Sequence, residues 1–262
     1  MREPDGASGP REMSGPDGAS GPREMSGPDG ASGPRRMSGP DGASGQRQMS
    51  GPDGARGQRR MTERLRLEPA GPGNARDLAL VLTDDAVWPW YGRTKPTADQ
   101  VDRTAHAMGE SWRLHGVHKW IAYDRGTGEV VGRGGLSRTP VDDDWAQLYA
   151  FLPAEPWTRA EHPVRRPFAA HAAWVEVGWA VRGAFHGRGY ATEIGRASLA
   201  YAFEVLDVRA VVSCTVRHNV RSRAVMERLG MHHAGEIRSP DPVTGPGTPF
   251  TVSASFRSRS PG

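Results

Sequence analysis

Hydrophobic alternation is sharpest from Ala173 to Val181. Val175, Val177, Trp179 and Val181 fall on one face there, and Trp174, Glu176, Gly178 and Ala180 on the other. A period of two predicts a β-strand. The run from Val208 to Val216 repeats the pattern, with Val208, Ala210, Val212, Cys214 and Val216 on one side. Between them Ala191, Ile194, Ala197, Tyr201 and Val205 recur at helical spacing and predict a helix over 191–206, entered through the Gly-rich loop 182–190.

Upstream, Arg64-Leu-Arg-Leu-Glu68 reads as a strand. After the Gly-Pro-Gly turn at 71–73, Asn74 is placed to cap a helix carrying Leu78, Leu80, Val81 and Leu82. Thr97 and Gln100 form a capping-box pattern that opens a helix running to Leu114. Segments 119–123 and 130–136, separated by Asp124-Arg-Gly-Thr-Gly128, predict a hairpin. Downstream, Asn219 opens a helix to Leu229 that Gly230 stops, and strands over 231–237 and 249–255 follow. The order predicts a mixed α/β domain with a strand-loop-helix-strand-helix-strand core.

Composition divides the 262 residues. The first sixty contain no Leu, Ile, Val, Phe, Trp, Tyr or Cys, yet hold 14 of the 34 Gly and 8 of the 22 Pro, so they cannot bury enough apolar surface to offset chain entropy. They form five twelve-residue units, each headed by Met (Met1, Met13, Met25, Met37, Met49), with the next Met at Met61. From the second unit on, Gly fills every third position for three triplets and is missing from the fourth, which argues strongly against a collagen triple helix. The expected organisation is a disordered repeat over 1–60, a folded domain over 61–256 and a tail over 257–262. A tandem in-frame DNA repeat would account for the first segment and would put the physiological start at Met61.

No apolar run reaches the roughly 18 residues a membrane span needs, so no membrane partner and a soluble cytoplasmic protein are expected. The single Cys214 excludes an intramolecular disulfide framework and is expected to be a small buried hydrophobe. A net charge of +4 is too small and scattered to argue for nucleic acid, though it leaves room for a basic groove facing an anion. The His115/His118 pair and the His232-His233 pair lack companions at metal-ligand spacing, so no metal is expected. The stretch 139–172 is long, aromatic and Pro-interrupted, too aromatic for a plain linker, and its Asp142-Asp-Asp144 could attract a cationic acceptor or simply be solvated.

A strand that ends in a Gly-rich loop and opens a helix presents unpaired N–H groups and the positive end of the helix dipole, which together suit a phosphate, with an ordinary loop as the equal alternative before any resemblance is considered. Gly187 and Gly189 allow close backbone approach and Arg188 adds a cation. No GxxxxGK[ST] or strand-linked GxGxxG is present, which argues against nucleotide triphosphatase and Rossmann chemistry. The ordered set Thr62-Glu-Arg-Leu-Arg-Leu67, Val175-Glu-Val-Gly-Trp179, His186-Gly-Arg-Gly-Tyr-Ala-Thr-Glu193 and Asn219 to Met231 resembles the GNAT superfamily of N-acetyltransferases, and within it the RimJ/RimL-like branch.

That resemblance implies a GNAT acyl-CoA N-acyltransferase fold and acetyl-CoA as co-substrate. The pyrophosphate would lie on the amides of Gly187, Arg188, Gly189, Tyr190, Ala191 and Thr192, and the pantetheine arm along Trp179, Ala180 and Val181. His186 departs from the Gln or Arg usual in the family; the contacts are largely backbone ones, so the change is expected to be tolerated. Glu176 matches the family's acidic position and is assigned as general base, directly or through water, against the alternative of a solvent-exposed or arginine-paired strand residue. Ser222 matches the residue that donates a proton to the CoA sulfur, against the alternative of an ordinary first-turn serine. Asn219 has helix capping and pantetheine contact open to it. Trp88, Trp90 and Tyr91 correspond to a wall of the acceptor site, or else to core packing. The acceptor implied is a primary amine, on a protein N-terminus or a small molecule, with monomer and homodimer both open. A CoA-binding regulatory module without turnover is the rival reading.

Overall fold

The alternating segments become neighbouring strands of a single eight-stranded sheet. This architecture comes from a computed structural model, which describes residues 59–140, 146–151, 173–239, 245 and 247–257. The expectations for residues 1–58, for Asp142-Asp-Asp144 and for most of the 139–172 stretch lie outside the described residues.

The strands are β1 (Arg60–Met61), β2 (Leu65–Pro69), β3 (Lys119–Asp124), β4 (Val130–Pro140), β5 (Ala173–Val181), β6 (Ala210–Val216), β7 (His232–Arg238) and β8 (Pro249–Phe256), in the spatial order β1-β2-β3-β4-β5-β6-β8-β7. Every neighbouring pair is antiparallel except β5 with β6. The helices are α1 (Ala75–Leu82), α2 (Ala98–His115), α3 (Tyr190–Ala200) and α4 (Val220–Arg228).

Helices cover both faces, as the near-continuous apolar character of β3 requires. On one face Leu78 and Val81 of α1 and Val101, Ala105 and Met108 of α2 pack with Ile121 and Ala180. On the other, Ile194 and Leu199 of α3 and Met226 of α4 pack with Leu65, Leu67, Val177 and Val181. The two faces of β5 predicted from alternation therefore enter different clusters. A smaller cluster joins Val212, Ile237, Phe250 and Val252 to Leu148, with Phe151 packed beside it.

Local chemistry accounts for most boundaries. The capping box at α2 is complete: the Gln100 N–H donates to Thr97 Oγ1 at 3.3 Å and the Thr97 N–H to Gln100 Oε1 at 2.8 Å. Gly116, at φ 68°, ends the same helix. Asn74 sits at the N-cap position of α1, but its side chain does not cap the helix. Its Oδ1 accepts from the Gly71 N–H at 2.8 Å and its Nδ2 donates to the Pro69 carbonyl at 3.0 Å, closing the Gly-Pro-Gly turn.

Three further expectations are corrected. A two-residue strand, β1, precedes the first predicted one; the pattern is too short to register. The regular helix predicted over 191–206 stops at Ala200 and continues as a π-helical turn over Tyr201–Val205, with the Leu206 N–H reaching the Tyr201 carbonyl at 3.0 Å. Tyr201 is drawn into the aromatic group of Trp112 and Trp120 and donates to the Gly116 carbonyl at 2.8 Å, a tertiary demand that periodicity does not carry. Val208 is buried but precedes the β6 ladder, which begins at Ala210.

Candidate active site

β5 and β6 are matched at one position, Glu176 opposite Val212. The Val177–Val181 half of β5 runs on paired with β4 alone. Residues of an antiparallel strand turn their main-chain groups alternately to either side. The Arg182 N–H goes to Val131 at 2.9 Å, so Ala180 and Gly178 also face β4, and the groups of Trp179 and Val181 face the opening. Two side-chain contacts agree with this direction: Tyr91 Oη donates to the Trp179 carbonyl at 3.3 Å, and His186 Nε2 lies 2.7 Å from the Val181 carbonyl. Because a carbonyl only accepts, His186 carries its proton on Nε2, and its Nδ1 accepts from Arg221 at 3.4 Å. Of the three strand residues expected to meet pantetheine, Trp179 and Val181 face the opening, while Ala180 is committed to β4 and packs under α1.

The Gly-rich loop closes this end of the opening. A short 3-10 turn, Gly183–Phe185, leads through His186 into Gly187 and Gly189, at φ +73° and +81°, conformations that favour glycine. Gly189 is the N-cap of α3 and provides no side-chain cap. The Glu193 N–H returns to the Gly189 carbonyl at 3.1 Å, so the amides of Tyr190, Ala191 and Thr192 form the first turn at the positive end of the helix. Arg188 is exposed, with its guanidinium 5.5 Å from the Phe185 ring and 5.4 Å from the Tyr190 ring. Loop and helix are anchored from below. Tyr190 Oη donates to Asp124 Oδ2 at 2.6 Å, which with the Thr127 and Gly126 amides holds the Asp124 carboxyl below its ordinary range. Thr192 Oγ1 accepts from Arg228 of α4 at 3.4 Å.

Glu176 stands at the vertex, 4 % exposed. Its Oε2 accepts from Ser137 Oγ at 2.9 Å and lies 3.7 Å from Lys119 Nζ; its Oε1 is 3.9 Å from Cys214 Sγ. It is therefore buried, not solvent-exposed, and Lys119 is a cation set beside it. Cys214 packs against the cluster of Val212, Phe250 and Val252 as the small hydrophobe expected, half-buried where full burial was expected, and its thiol also lies beside this carboxylate. Lys119 and Ser137 escaped sequence reading: Lys119 appears only as the polar start of an apolar strand, and Ser137 as an ordinary residue near a strand end.

Asn219 caps α4, its side chain accepting from the Ser222 N–H at 3.1 Å, and Ser222 is half-buried in the first turn. The contact between His186 and Arg221 brings that turn beside the Gly-rich loop. The Trp88–Trp90 turn is not core: Trp90 and Tyr91 are each 42 % exposed. Trp90 lies 5.8 Å from the ring of His218 after β6, while Tyr91 reaches β5, so this turn spans the mouth of the opening. Among the described residues no three His, Cys, Asp or Glu side chains group as metal ligands, and no helix is long and apolar enough to cross a membrane.

Comparison with known proteins places this arrangement. The family model described as an acetyltransferase (GNAT) domain matches residues 64–232. FsC-acetyl coenzyme A-N(2)-transacetylase of Aspergillus fumigatus is 37% identical over 174 residues, which cover 66% of this chain and 64% of that protein. YdaF of Bacillus subtilis is 38% identical over 63 residues, 24% of this chain and 34% of its own length, so the chain spans about a third of that relative. The solved structure of the ribosomal-protein-S5-alanine acetyltransferase from Vibrio fischeri superposes with a TM-score of 0.56 at 12% identity, covering 76% of this chain and 96% of that one, a likeness of fold. With a family match across most of the described domain and the strand opening, loop and helix in the order the motifs predicted, the chain belongs to the GNAT acetyltransferase family.

Proposed function

We propose that the protein transfers the acetyl group of acetyl-CoA to a primary amine, on a protein N-terminus or a small molecule, by direct attack within the opening between β5 and β6. The observation that carries this reading is the single-position ladder at Glu176: it places a buried carboxylate at the vertex of an opening whose mouth is an uncapped helix N-terminus. Acetyl-CoA would set its pyrophosphate on the amides of residues 187–192, with Arg188 and Arg221 nearby as cations, and its pantetheine arm along Trp179 and Val181. The acceptor would enter past Trp90 and Tyr91.

In the reaction the amine nitrogen forms a bond to the thioester carbonyl carbon and the carbon–sulfur bond breaks. Glu176 takes the proton the amine must lose, directly or through water, and a main-chain N–H near Trp179 polarises the carbonyl. Ser222 supplies a proton to the departing thiolate and regains one from solvent, to which Glu176 gives up the amine's proton, and Asn219 fixes the turn that presents it. The likeness to one acetyltransferase of a ribosomal-protein alanine and to one transacetylase supports both acceptor classes without choosing between them.

The test is release of free thiol from acetyl-CoA against a panel of N-terminal peptides, polyamines and aminoglycosides. Release above background with at least one amine, and its acetylated product by mass spectrometry, is the expected result. Acetyl-CoA binding with no release against the whole panel would favour a regulatory module.

A further inference from the structure

Lys119 lies at the start of β3, one strand beyond β4 and two from Glu176, yet its ammonium reaches the Glu176 carboxylate. The register shows how. Lys119 is opposite Gly135 on β4, and Gly135 is opposite Gly178 on β5, so two positions without side chains lie in a row beside the lysine. A Cβ at Gly178 would sit 3.2 Å from Lys119 Nζ. Next along the same face Ser137 is directly opposite Glu176. Lys119 Nζ donates to Ser137 Oγ at 3.1 Å and to the Gly135 carbonyl at 3.5 Å, and Ser137 in turn donates to Glu176 Oε2. The Lys119 and Glu176 side chains are 3 % and 6 % exposed.

We propose that Lys119 is the positioning residue for Glu176, acting directly and through Ser137 to keep the buried carboxylate ionised and its Oε2 fixed. The inference rests on the reading of Glu176 as the proton acceptor. An isolated carboxyl at this depth would be driven to the protonated form, in which it could not take the amine's proton. The neighbouring positive charge reverses that preference. The two oxygens are thereby divided: Oε2 holds the serine and the lysine, while Oε1 lies on the side of Gly178 and Cys214.

Among the described residues, the neighbouring elements set the following groups around the carboxylate. β6 contributes the Cys214 thiol, 3.9 Å from Oε1. On β4, Arg133 is opposite Ala180, four residues along β5 from Glu176, and stacks against Tyr91 at 4.9 Å. The side chains that α1 and α2 bury against this face, Leu78, Val81, Val101, Ala105 and Met108, carry no charge.

The test compares wild type with Lys119→Met, Lys119→Arg and Ser137→Ala by carbon-13 NMR titration of glutamate carboxyls, the Glu176 resonance being assigned by its loss in Glu176→Gln. In parallel, kcat/KM for the most active amine of that panel is followed against pH. Removing an opposite charge at this distance is expected to move both the Glu176 titration and the acidic limb of the rate profile upward by at least about one pH unit in Lys119→Met. Lys119→Arg restores much of the shift, and Ser137→Ala produces a smaller one. A Lys119→Met protein that is merely less stable, with titration and limb unmoved, overturns the proposal; if that variant does not fold, an arginine variant and a serine variant that both titrate and react as wild type overturn it equally. Glu176→Gln with undiminished transfer would instead remove Glu176 as proton acceptor, and the NMR titration would still decide whether Lys119 sets its charge.

Discussion

Glu193, in the first turn of α3, ties the N-terminal strands to the helix whose amides face the opening, and its removal has a calculable consequence. Its Oε1 accepts from Thr62 Oγ1 at 2.5 Å and from the Arg64 N–H at 2.8 Å, and its Oε2 accepts from Arg64 Nε at 2.7 Å with the Arg64 Nη2 at 2.6 Å. A hydrogen bond to a charged group contributes about 1.5–3 kcal/mol. These four share one carboxylate and are not additive, and the Arg64 side chain is 41% exposed, so its share is discounted for screening. Glu193→Ala should therefore cost about 2–3 kcal/mol, or roughly 4–12 °C in Tm for a domain of this size. Burial pushes the Glu193 carboxyl up, but the bonds from Thr62 and Arg64 outweigh it and the net displacement is downward. A carboxyl lowered in the folded state stabilises fully above its unfolded value, about pH 4.3, and loses that contribution as pH falls through the folded value. Thermal melts of both proteins at pH 7, 5, 4 and 3 should show the full gap at pH 7 and 5 and a shrinking gap at pH 4 and 3. A gap below about 2 °C at pH 7, or one equally wide at pH 3, would refute the reasoning.

Two other perturbations probe the rest of the account. Gly189→Ala forces an L-residue into φ near +81° at the N-cap of α3, a strain of about 1–2 kcal/mol that the free loop relieves by leaving this conformation, and should weaken acetyl-CoA binding roughly five- to thirtyfold by calorimetry; unchanged affinity would remove the loop from the CoA site. A chain starting at Met61 loses the exposed Arg59–Glu68 pair at 2.8 Å and the Arg60 guanidinium 4.8 Å over Tyr201, each worth about 1 kcal/mol or less. Thiol release by that chain should stay within about twofold of the full chain, and a larger loss would show that the preceding residues serve the reaction.

The parts of the fold visible in the sequence are those fixed by local chemistry. The alternation through β5, the capping box at Thr97, the Asn219 cap and the paired glycines of the loop each depend on residues a few positions apart, and each appears where expected. Glu176 stood out through its match to the family's acidic position on the strand face opposite the valines, but its burial was not legible from the alternation. Lys119 and Ser137 did not, because their link to Glu176 exists only once β3, β4 and β5 are in register and two glycines clear the way. The π turn at Tyr201 was hidden for the same reason: its cause is the aromatic group that Tyr201 forms with Trp112 of α2 and Trp120 of β3. Asn74 shows the limit of positional rules, since the right residue at the cap position spends its side chain on the preceding turn.

The central claim is that the opening at Glu176 transfers acetyl groups and that this carboxylate takes the proton. The most direct measurement is thiol release from acetyl-CoA by wild type and Glu176→Gln with the most active amine of the panel, alongside calorimetric acetyl-CoA affinity for both. The account predicts near-equal affinities and a loss of at least about a hundredfold in transfer, within the range general-base catalysis contributes. Equal transfer rates at equal affinity would contradict it.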